Sequence, residues 1–146
     1  TLIELLIVIA IIGILASIVL ASLLTARNKG KDAAIKSSLS SLRSAGEIDY
    51  DSDGNYSKVC TEAFNAAGNS TLTQTAGTEY KKIDTAIDAQ KGGTNNTICN
   101  EGGVASSVTY AAWVPLVTAS QWFCIDSTGV AKALTAAPAV NATACP

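Results

Sequence analysis

Glu4 is the costliest side chain in the sequence. It is a carboxylate set among Leu2, Ile3, Leu5 and Leu6, where an ionised group without a partner costs several kcal/mol. At a bilayer edge it would reach headgroup water. The other outlet is a nearby positive charge, and a free α-amino group is the nearest candidate. Within one helix that amine lies a few residues away; between two staggered helices the same attraction would set the axial offset of one chain on the next. A second set of carboxylates, Asp49, Asp51 and Asp53, runs into Gly54. That is the first half of a calcium loop, D-x-D-x-D-G, whose alternating carboxylates wrap a hard cation. The loop's twelfth position, however, holds Cys60 instead of a bidentate Glu, and Glu62 comes two residues late. The run reads first as a solvated acidic turn and second as a calcium site.

Cys60, Cys99, Cys124 and Cys145 stand at irregular spacing, with no C-x-x-C pair, in a chain without histidine. They do not make a zinc site. An even number of cysteines in a processed chain reads as two disulfides and an oxidising compartment, with three connectivities open. The absence of histidine also removes His-based acid–base chemistry and the Ser-His-Asp arrangement. With the cysteines oxidised, an enzyme would have to work with Asp and Glu, and no convincing pair stands out, so no enzymatic activity is expected. A net charge of −2 offers no basic footprint for nucleic acid. Four N-x-S/T sequons, at Asn55, Asn69, Asn95 and Asn141, mark polar loops where glycans could sit.

The elements that must carry these residues are unevenly apolar. Mean hydropathy is +0.29, and it is concentrated in the twenty residues Leu5 to Leu24, where only Gly13, Ser17 and Ser22 are not plainly apolar. As a helix this stretch spans about 30 Å, the thickness of a bilayer core. It is too uniformly apolar for a core helix in so small a domain. No basic residue precedes it, which argues against a secretory signal. A membrane-spanning or filament-core helix remains, with residues 1–24 as that segment. The chain contains no Met and begins at Thr1, so we expect a segment N-terminal to it to have been removed. Beyond the run, Ile35, Leu39, Leu42 and Ile48, with Ala34 and Ala45, recur at helical spacing. Residues 25–50 are thus expected to continue the same helix to about Ile48 as an amphipathic half. Arg27, Lys29 and Lys31 just past the run would favour the cytoplasm by the positive-inside rule; the cysteines argue for the opposite side and carry more weight.

Thr1-Leu2-Ile3-Glu4-Leu5 followed by an unbroken apolar helix resembles the start of a mature type IV pilin, over residues 1 to about 50. The resemblance implies a modified Phe ahead of Thr1, cleavage by a prepilin peptidase, insertion in the cytoplasmic membrane, and export by an inner-membrane assembly platform into a surface filament. It further implies that Glu4 recruits the N-terminal amine of a neighbour, so that Thr1, Glu4 and Gly13 belong to the assembly surface. Adhesion, motility and DNA uptake are the functions such filaments serve. Two alternatives stand beside it: a type II secretion pseudopilin, and an anchored extracytoplasmic binding module that never polymerises. Many pilins carry a proline about eight residues after Gly13, where this chain has Ala21 and Ser22; some loosening between Gly13 and Ser22 after packing into a filament is still expected. Conduction through stacked helix aromatics is not, because residues 1–49 contain none.

Residues 51–146 are expected to form a head with two disulfides. We expect Cys60–Cys99 and Cys124–Cys145, which staple successive parts of the chain; the resemblance implies the second as a C-terminal bounded region. Each would stabilise by about 3 kcal/mol. After a polar turn region over 49–60, short helices are expected at Thr61–Ala67 and Glu79–Gln90, and loops at Gly68–Gly77 and Gly92–Gly103. Val104, Val108, Tyr110, Ala112 and Val114 share one parity and predict a strand, followed by strands at Gln121–Asp126 and Val130–Leu134. The fold class is α+β: a long N-terminal helix packed on a small antiparallel sheet.

Overall fold

A computed structural model describes residues 1–61, 70–75, 77–94, 96–102 and 107–146. No proline occurs before Pro115, so nothing interrupts the first helical ladder. Helix α1 runs from Leu2 to Asp53, about 78 Å at 1.5 Å per residue. It passes the expected end at Ile48 by more than a turn and stops on Gly54, whose φ of 70° is left-handed and whose N–H donates to the Tyr50 carbonyl at 2.7 Å. That is a glycine C-cap. The polar turn expected from residue 49 therefore begins only after Asp53.

Asp32, Ile35, Leu39, Leu42 and Gly46 are the buried positions of α1, stepping by three and four. Ile48 does not join them and is 68% exposed. It lies two residues past Gly46, hence about 200° around the helix. Gly46 takes the next core place, where the Tyr110 hydroxyl lies 3.4 Å and its ring 3.5 Å from where a Cβ would stand.

Among the described residues the sheet has five antiparallel strands in sequence order: β1 (Ser70–Thr71), β2 (Ile98–Glu101), β3 (Tyr110–Pro115), β4 (Trp122–Asp126) and β5 (Ala131–Leu134). The last three match the three expected strands, with β3 starting later than Val104. Ser107 turns its carbonyl to the Tyr56 N–H at 2.7 Å instead of extending the strand, and Val108 is exposed. Strands β1 and β2 fall inside segments read as loops. Their pairing, Ser70 to Cys99 and Cys99 to Ala112, depends on partners distant in sequence. Helix α2 (Glu79–Lys91) is capped by the Thr78 hydroxyl, which accepts from the Lys81 N–H.

Alternation divides the sheet into two faces. Tyr110, Ala112, Val114, Phe123 and Ile125 meet Ile35, Leu39 and Leu42 of α1 and Ile83 and Ile87 of α2 in the main core. Ala111, Trp113 and Cys124 point the other way and are covered by Ala142 and Cys145 of the C-terminal tail. Both disulfides pair as expected, Cys60–Cys99 and Cys124–Cys145, with Cα separations of 5.5 and 5.9 Å. The helix expected at Thr61–Ala67 lies, beyond Thr61, outside the described residues, as do Asn69, Asn95 and Val104.

Candidate functional site

The first half of α1 is exposed and packs against no other element among the described residues. Sixteen large apolar side chains from Leu2 to Leu24 stand 47–80% exposed, on every side of the helix. Leaving that surface in water costs on the order of 20–30 kcal/mol. This helix is long and apolar enough to cross a membrane. Its few polar side chains are already satisfied: the Ser17 hydroxyl donates to the Ile14 carbonyl at 2.8 Å, and that of Ser22 to the Ile18 carbonyl at 3.1 Å. Such back-bonding hides hydroxyls from an apolar medium. The helix is unbroken through Gly13–Ser22 in the single chain. No heavy atom lies within 4 Å of a Cβ built on Gly13. A glycine on an apolar helix is the kind of position where a second backbone can approach closely.

At the tip, the Thr1 α-amino group donates to Glu4 Oε2, and the two form a capping box. Both groups stay more than three-quarters exposed.

The exposed half ends at Asp32, the first buried position. Its carboxylate accepts from the backbone N–H of Val117 at 2.6 Å, from that of Thr118 at 3.3 Å, and from the Thr118 hydroxyl. Eleven residues on, Arg43 Nη2 donates to the Val130 carbonyl and, at 3.4 Å, to that of Asp126. Sequence reading missed both clamps. Asp32 between Lys31 and two alanines looks like an ordinary surface charge, and its partners are more than eighty residues away. Asp126 in turn ties down the tail: its carboxylate accepts from the N–H groups of Thr128, Val130 and Cys145. Burial alone would raise its pKa, but these donors outweigh burial and hold the carboxyl below the ordinary value.

The aspartates read as a possible calcium loop are not brought together. Asp49, Asp51 and Asp53 lie on α1, where Asp51 points about 200° away from Asp49. Asp49 accepts from the Tyr80 hydroxyl at 2.5 Å, and Asp53 pairs with Lys58 at 2.5 Å. Among the described residues no group of three or more Cys, Asp or Glu is placed to hold a metal ion. The phenols nearby stay protonated. Burial first and then the Glu47 carboxylate push Tyr56 up to about 12, while burial and then Asp49 raise Tyr80. Of the sequons, Asn55 folds into its own turn, accepting from the Ser57 N–H at 3.0 Å, and Asn141 is exposed on the tail.

No family model, curated protein or solved structure matches this chain.

Proposed function

We propose that the chain is the structural subunit of a type IV pilus-like filament, held in a membrane by the first half of α1 and then packed through that half among sister helices. One observation carries this reading: a helix with sixteen exposed apolar side chains, rigidly continuous with a disulfide-stapled head. Moving such a helix from lipid to protein gains little from dehydration, so close packing at Gly13 and the Glu4 charge supply the specificity. A neighbour's N-terminal amine brought beside Glu4 would compensate its carboxylate in apolar surroundings. Adhesion, motility and DNA uptake are functions such a filament can serve.

The same apolar helix also suits a single-pass anchor for a binding head. Electron microscopy and intact mass of protein sheared from cells separate the two, since an anchor gives no filaments. Glu4→Ala should leave membrane insertion and both disulfides intact while reducing surface filaments to a small fraction of wild type. Normal filaments from that variant would refute the assembly role of Glu4.

A further inference from the structure

Outside the first half of α1, the large apolar side chains left exposed among the described residues are Ile48, Val108 and Val140, at 68%, 59% and 55%. Val108 adjoins residues 103–106, which are not described. The other two lie on opposite sides of the head. Ile48 borders a groove of about 850 Å³ between the end of α1 and the first turn of α2, lined also by Ala45, Asp49, Lys58 and Tyr80. This is the helix side of the sheet. Val140 sits at the tip of a tail turn closed by the Ala142 N–H on the Ala139 carbonyl at 3.1 Å, with Asn141 at φ 61°. That tail packs on the far face, through Ala142 and Cys145. Turn tips favour Gly, Pro, Asn and Asp, and a half-exposed β-branched residue there contributes nothing to its own fold.

Charge completes the match. Glu47, Asp49, Asp51 and Asp53 crowd the end of α1, and Lys58, paired with Asp53, offsets one of the four charges, whereas Lys132 is the one charged side chain between Ser127 and Pro146. It stands exposed on β5. We propose that the Val140 turn of one copy docks in the Ile48 groove of the next, with Lys132 facing the acidic end of α1. The proposal rests on the filament reading and adds a contact between heads. A knob and a groove on opposite faces cannot satisfy each other within one chain. They form a heterologous contact, which propagates into a helix or closes into a ring.

The test uses the full chain assembled on cells, with a photo-crosslinking residue at position 48. The expected product joins position 48 of one copy to the peptide spanning 138–142 of another. Val140→Glu and Ile48→Glu, each keeping both disulfides and the wild-type Tm, should weaken the head contact about tenfold or more and lower filament yield. Ile48→Glu combined with Val140→Lys should restore the yield. Cross-links to any other segment or to a different protein, undiminished filaments from Val140→Glu, or a glycan on Asn141 in assembled material would each overturn the docking. Wild-type cells lacking filaments altogether would instead sink the polymer reading beneath it.

Discussion

Asp32→Ala is the perturbation that most directly tests how α1 is fixed to the head. The wild-type carboxylate, 6% exposed, receives two backbone N–H groups and one hydroxyl from the loop after β3. Hydrogen bonds to a charged group contribute about 1.5–3 kcal/mol each, and orphaned buried donors cost about 1–3 kcal/mol. The Thr118 hydroxyl can rotate to water, so the loss rests on the two backbone donors. Allowing for partial rehydration, we expect about 3 kcal/mol, or a Tm about 10 °C lower for a chain of this size. Asp32→Asn keeps one acceptor oxygen but turns an amide toward donors, and should fall between. Asp51→Ala, on the exposed face of the same helix, should stay within about 0.5 kcal/mol. Thermal unfolding of the full chain in detergent gives the comparison, and hydrogen exchange at Val117 and Thr118 localises it. If Asp32→Ala melts within about 1 °C of wild type, with both amides still protected, the clamp does not hold the helix and the reasoning fails.

Two buried carboxylates should bend the pH–stability curve in opposite directions. Asp126 has its pKa lowered, so its contribution is complete above the unfolded value of about 3.9 and is lost as pH falls through the folded one; Asp126→Asn should flatten the acid limb of urea midpoints. Asp84 is raised, chiefly by burial. Its folded form holds the proton more tightly, so stability falls as pH rises from about 4 through the folded value, and Asp84→Asn should be more stable than wild type at pH 7 but not at pH 4. Replacing Cys124 and Cys145 by Ala, which opens a separation of 21 residues, should cost about 3 kcal/mol. The same change at Cys60 and Cys99, a separation of 39, should cost about 4 kcal/mol. The first pair also releases the tail over Trp113, so its loss should red-shift tryptophan fluorescence, while unchanged emission would refute that packing.

The long helix, the last three strands and both disulfides were legible because each is written locally or by count. An apolar run has a length, alternation has a parity, and four cysteines have three pairings. Strands β1 and β2 were not legible: two and four residues are too few for alternation to register beside flanking glycines. The helix overran its expected end because Asp49, Asp51 and Asp53 read as turn chemistry, yet the left-handed break is at Gly54. Ile48 was misplaced because hydrophobicity alone cannot distinguish a core position from an exposed one two residues past Gly46. The clamps at Asp32 and Arg43 are long-range pairs of charged side chains with backbone groups. Nothing in the local pattern of either residue announces them.

The two clamps also bear on mechanics. Asp32 and Arg43 are eleven residues apart, about 16 Å along the axis of α1, and they grip different loops of the sheet. A pull on the N-terminal end of α1 therefore enters the head at two separated anchors joined by the buried Ile35–Leu42 stripe. Neither can peel before the other without tilting the helix against that stripe. Tension would be shared between anchors and passed into strands locked by disulfides, so the head should yield late, as a unit, and not unravel from the end that is pulled.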